Sequence, residues 1–206
     1  MAISIAKENI LKKIRKALDN PVPLPFPLSE GPADIYQSPS EDLEIIFAGE
    51  FIKLQGKFIF CIDEQHMEQQ LQQLIAAKEW TKIFCSEHKW NGAFSNTISL
   101  ETCDASITAC EYLVARTGTI VLSAAGQSGR TVSVYAPVHI CIAYTNQLVY
   151  NIKDALQALK EKYTGHLPSF ITFASGPSRT ADIEKTLVTG VHGPKEVYLF
   201  LVDGMG

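Results

Sequence analysis

With 206 residues, 46% of them hydrophobic, the chain can build one full core and bury about 70% of its unfolded surface. Its net charge of -4 gives no overall attraction to nucleic acid or acidic membranes. There is no apolar run of about eighteen residues and no apolar signal core at the N-terminus, so a soluble, cytoplasmic protein without a membrane span is expected.

The chain opens on Ile3, Ala6, Ile10, Ile14 and Ala17 at helical spacing, with Leu11 and Leu18 widening the stripe. Lys12, Lys13, Arg15 and Lys16 occupy the polar side, which predicts an amphipathic, basic helix over residues 1–19 that serves as a docking arm. Residues 20–40 hold Pro21, Pro23, Pro25, Pro27 and Pro32, half of the ten prolines, and read as a semi-rigid linker or a strap over the surface. The globular domain is expected over 41–206.

Leu43, Ile46, Phe47 and Phe51 give a helix ending at Gly56. Residues 57–62 then read as a buried strand, 63–78 as a helix and 82–85 as a second strand, the alternation of parallel βαβ units. Strands follow at 112–115, 119–123, 131–135 and 138–143, too closely spaced for helical crossovers, so a mixed sheet is predicted. Asn151, with Asp154 three residues on, caps a helix whose buried face is Ile152, Ala155, Leu156, Leu159 and Tyr163. A strand at 169–174 and a last strand at 196–202, apolar on both alternating faces, complete the pattern.

Chemistry is sought in three polar turns beside strands: 116–119, 127–131, and the stretch Gly176-Pro177-Ser178-Arg179-Thr180-Ala181-Asp182-Ile183-Glu184 with Gly190-Val191-His192-Gly193-Pro194. Ile183, Leu187 and Val188 recur at helical spacing, which predicts that the third turn opens a helix. Its free amides, capped by Ser178 or Thr180, together with Arg179 would suit an anion; pairing of Asp182 and Glu184 with the dipole and with Arg179 is the ordinary explanation. Arg130 could hold a phosphate or carboxylate, or simply point to water. His139 reads as a hydrogen-bonded core histidine, while His192 lies in a loop where it could reach a ligand. Ser123, His139 and Asp203 make a triad only on paper. His66, His88 and His166 have no metal-ligand spacing, and the five cysteines, an odd number without Cys-x-x-Cys, read as reduced core residues.

Thr117-Gly118-Thr119-Ile120-Val121-Leu122, Arg130 followed by Pro137-Val138-His139-Ile140, and the Gly176 to Pro194 stretch together resemble the LUD domain of lactate-utilisation proteins. The resemblance covers roughly 41–203. It implies a three-layer α/β/α sandwich with a mixed, mostly parallel sheet, like sugar-phosphate isomerases and coenzyme A transferases. It also implies a non-catalytic or auxiliary subunit of a system that oxidises L-lactate to pyruvate. Iron–sulfur clusters would then sit on partner subunits and none on this chain, and a homo-oligomer is possible. The expected site for a small anion comprises Thr117, Gly118, Arg130, Gly176, Ser178, Arg179, Thr180, His192 and Gly193, with no metal. Relatives carry an acid before Thr-Gly where this chain has Arg116, which puts a carboxylate role there in doubt. The alternative is a stand-alone isomerase, transferase or cyclo-ligase acting on a phosphorylated sugar, a coenzyme A ester or a folate-like compound, an analogy of fold alone.

Overall fold

A computed structural model of the protein describes residues 5–18, 38–39, 41–94, 97–164, 166–183 and 186–204. They fall into two units, Met1–Ser38 and Pro39–Gly206. In the first, α1 (Ile5–Leu18) is the expected basic helix; of the proline-rich stretch 20–40, all but residues 38–39 lies outside the described residues.

In the second unit, α2 (Leu43–Lys53) leads into β1 (Lys57–Cys61), α3 (Glu64–Ala77) and β2 (Ile83–Cys85). Next come β3 (Ala105–Thr108), β4 (Tyr112–Val114), β5 (Thr119–Ser123), the short α4 (Val132–Tyr135), β6 (Val138–Tyr144) and β7 (Leu148–Val149). Then follow α5 (Ile152–Lys162), β8 (Ile171–Ala174), β9 (Arg179–Ile183), β10 (Thr186–Thr189) and β11 (Glu196–Val202).

The central sheet runs β1-β11-β6-β3-β2 and is parallel throughout. The antiparallel pairing expected from the crowded middle strands falls in a second sheet, β7-β4-β5-β8. Alternation along β11 shows how the layers form. Tyr198, Phe200 and Val202 join Met67 and Leu71 of α3 on one face, whereas Val197, Leu199 and Leu201 meet Phe47 and Phe51 of α2 and the second sheet on the other. Ala155 and Leu159 of α5 then cover the outer face of that second sheet at Val114 and Val121. An α/β sandwich around a mostly parallel sheet is thus present. Among the described residues no helix is long and apolar enough to cross a membrane.

Two expected elements differ. Residues 132–135 form helix α4 rather than a strand: Val134 and Tyr135 donate to the Thr131 carbonyl at 3.0 and 3.1 Å, and the turn ends before Pro137, where a helix cannot continue. The predicted helix after Gly176 is the antiparallel hairpin β9–β10, in which Thr189 pairs with Arg179 and Val188 with Thr180. Its β-branched residues Thr180, Ile183, Thr186, Val188 and Thr189 lose rotamers in a helix and fit a strand, outweighing a three-residue helical periodicity.

Candidate functional site

Parallel strands leave their carboxyl ends open where the following loops diverge, and small-molecule sites favour that edge. Here a polar cleft of about 300 Å³ lies past β2 and β3, lined by Glu87, Thr108 to Glu111, Ser123, the loop Ala125 to Gly129, Ser133, Lys162 and Tyr163. The loop is stitched to the end of β2. Ser128 Oγ donates to Glu87 Oε1, and the His88 amide donates to Gln127 Oε1 at 2.6 Å. Below it, Ser106 Oγ donates to the Val132 carbonyl at 2.8 Å, tying α4 to β3.

Glu111 is the centre of the cleft. It is only 6% exposed, in the connection between β3 and β4, and its amide donates to the Val121 carbonyl at 2.8 Å. Its carboxylate accepts from Ser123 Oγ at 2.5 Å, Tyr163 Oη at 2.7 Å and Lys162 Nζ at 2.7 Å. Burial pushes its pKa up, but the hydrogen bonds of Lys162, Ser123 and Tyr163 and the charge of Lys162 outweigh that and hold it below the ordinary 4.5. Such a carboxylate is a weak base for Ser123, whose oxygen also accepts from the Ala125 amide at 3.2 Å. The arrangement therefore suits binding better than nucleophilic attack. Lys162, half exposed, keeps donors for a ligand, and the Glu87 carboxylate can accept from a hydroxyl.

Other members of the paper triad have separate partners. His139, buried, shares a 2.8 Å hydrogen bond with Thr108 Oγ1, and burial pulls its pKa down to about 4; Asp203 accepts from Thr145 Oγ1 at 3.3 Å. The five cysteines are free thiols, four of them buried. Cys110, at the cleft, is hydrogen-bonded to Cys141, and that contact with burial raises its pKa. Among the described residues no cluster of His, Cys, Asp and Glu could hold a metal.

The nine residues expected to form one anion site lie in four places. Thr117, Gly118, Gly176 and Arg179 gather at the C-terminal turn of α2. Gly118 (φ +55°) lies so close that a Cβ there would sit 2.5 Å from the Phe51 amide nitrogen, and one at Gly176 (φ +79°) would sit 2.6 Å from the Leu54 carbonyl oxygen. Arg179 Nη2 donates to that same oxygen at 2.8 Å. Thr119 Oγ1 bridges Thr117 Oγ1 and Ser175 Oγ at 2.8 and 2.7 Å. A helix C-terminus is the negative end of its dipole, so the geometry explains Arg179 as a cap, and the helix N-terminus on which the expected anion site rested is absent. Arg179→Ala is expected to lower the melting temperature by roughly 2–4 °C through the exposed carbonyl; an unchanged melting curve would mean the contact contributes nothing.

Ser178 and Thr180 belong to the hairpin region: the Ser178 amide donates to the Pro194 carbonyl and the Gly190 amide to the Ser178 carbonyl, both at 2.9 Å. His192 and Gly193, beyond the hairpin, line a separate hollow with Tyr135 and Lys195. Arg130 stands at the rim of the glycine loop, its Nη2 donating to Ser169 Oγ at 2.6 Å and its guanidinium 5.7 Å from the Phe170 ring. None of the nine expected residues lines the cleft; Arg130 only follows Ser128 and Gly129, which do, and the sequence reading assigns no site role to Glu111, Lys162 or Tyr163.

The LUD domain family model matches residues 67–202. The chain is 34% identical over 153 residues to Lactate utilization protein C of Geobacillus sp. (strain WCH70), an alignment covering 72% of this chain and 63% of that protein. It is 38% identical over 104 residues to Lactate utilization protein C of Shouchella clausii (strain KSM-K16), covering 50% and 45%. The chain thus spans less than two thirds of the length of these curated relatives. A solved DUF162 family protein from Deinococcus radiodurans superposes with a TM-score of 0.58 at 16% identity, covering 78% of this chain and 96% of that one, a likeness of fold. By the extent of the family match, two thirds of its length and all of the central sheet but β1, the chain belongs to the LUD domain family.

Proposed function

We propose that this protein is a component of an L-lactate oxidation system, acting as an auxiliary subunit beside iron–sulfur partners and holding a small organic acid in the Glu111–Lys162 cleft. The observation that carries the reading is the 34% identity to a Lactate utilization protein C across 72% of this chain. The cleft supports it chemically. Lys162 offers an ammonium to a carboxylate, and Glu87 offers an acceptor to a hydroxyl. A hydroxy acid carries both groups. Held below its ordinary pKa by Lys162, Ser123 and Tyr163, Glu111 serves as a fixed counter-charge rather than a proton carrier at neutral pH.

Deleting the gene is expected to abolish growth on L-lactate as sole carbon source, with growth on glucose intact. Re-supply of the chain restores it, and affinity capture from lactate-grown cells brings down iron–sulfur proteins with lactate-oxidising activity. Undiminished growth of the deletion strain on L-lactate would rule the assignment out.

A further inference from the structure

The central sheet ends at β1, and no strand pairs with its outer edge among the described residues. Natural edges carry protection, since a row of unpaired amides and carbonyls invites a further strand. The opposite edge, β2, is only three residues long. Strand β1 has five residues in unbroken register with β11 and neither proline nor bulge. Its single charge, Lys57, is held by Glu196.

The surroundings of that edge are apolar and shaped for occupation. A groove of about 480 Å³ passes beside β1 between Ile52 of α2 and Leu74 and Ala77 of α3. A second, of about 440 Å³, continues past Phe58 and Phe60 to Ile45 and Ala48. Ile45, Ile52, Phe60 and Ile62 are 59, 58, 44 and 63% exposed, a concentration of large apolar side chains on one edge that calls for a covering surface. Grooves on either side of an open strand match strand addition, in which main-chain hydrogen bonds hold the newcomer and its alternate side chains fill the grooves.

We propose that the occupant is β1 of a second copy, paired antiparallel across a twofold axis so that two five-stranded sheets become one of ten. Charge identifies it. Asp42 and Glu44 lie at one end of α2 and Lys53 at the other, and Asp203, beyond β11, adds a third acid to the acidic end. Among the described residues Lys53 is paired only with Glu50, and its side chain is 72% exposed. A twofold axis through β1 sets the basic end of each copy against the acidic end of the other, so the surface is complementary to itself. It also sets Phe60 opposite Phe60 of the other copy and Ile62 opposite Phe58, the cross-strand pairing that stabilises sheets.

Sedimentation velocity of the full chain over a concentration series should show a reversible dimer of twice 22.7 kDa. Phe60→Lys and Ile62→Lys should each raise the dissociation constant by at least about tenfold while the circular dichroism spectrum is unchanged. Lys53→Glu and Asp42→Lys, both on the surface, should each weaken the dimer, and the two together should recover it. A chain that sediments as a monomer at every concentration overturns the proposal, as does a dimer indifferent to all four substitutions or one broken only by residues away from β1, which would leave the edge to a strand from another protein.

Discussion

Glu111→Gln is expected to lose about 3 kcal/mol of stability, since a buried carboxylate with three donors is replaced by an amide that must turn an N–H toward one of them. The melting temperature falls by roughly 6–12 °C. The pH profile separates this from a generic core defect. Because the folded-state pKa of Glu111 lies below 4.5, its contribution is complete above that value and disappears as pH falls through the lower folded value. On the alkaline side burial pulls the Lys162 pKa down, but its hydrogen bond to the Glu111 carboxylate, together with the charge of Glu111 and the nearby tyrosines, raises it above 10.5, so it keeps its share until pH climbs through that raised value. The gap between wild type and Glu111→Gln should therefore be flat from about pH 5 to 10 and close below pH 4.5. A gap that persists unchanged at pH 3 would show that shape, and not charge, is what the carboxylate supplies.

A larger loss is expected from Gly118→Ala. The residue occupies the left-handed region, which costs a side chain about 1–2 kcal/mol, and the new Cβ would stand 2.5 Å from the Phe51 nitrogen and 2.8 Å from the Glu50 carbonyl carbon. Backbone on both sides must shift. The combined loss is on the order of 4 kcal/mol, roughly 8–16 °C in melting temperature. Gly129→Ala is the control: its φ is +62°, yet nothing lies within 4 Å of the position, so only the backbone strain, about 1 kcal/mol, remains. Equal losses for the two would show that the approach of α2 is not what selects glycine at 118.

The contrast bears on what the sequence could disclose. Elements with sustained periodicity were legible: α5, with Asp154 accepting from the Asn151 amide at 2.9 Å, and β11, with apolar residues on both faces. So were the glycine motifs, although their reason is close backbone contact rather than a ligand. Four-residue β3 passed unnoticed, since Ala-Ser-Ile-Thr carries little apolar signal and is buried entirely by its neighbours. Hairpin β9–β10 was hidden behind three residues at helical spacing. Glu111 gave no local sign at all: its partners lie 12, 51 and 52 residues along the chain, and only the packing of α5 on the second sheet brings them together.

The position of β11 in the sheet has a bearing on biosynthesis. Strands β1 and β6 have no contact in register except through it, and it is made after every other described strand. While the ribosome adds the residues up to 202, the apolar faces of β1 and β6 must wait without their partner, and the sheet closes only when a pairing more than 130 positions apart, Lys57 with Tyr198, becomes available. Until then the unpaired apolar strands are open to aggregation, and expression at lower temperature or slower translation should return more of the chain in native form.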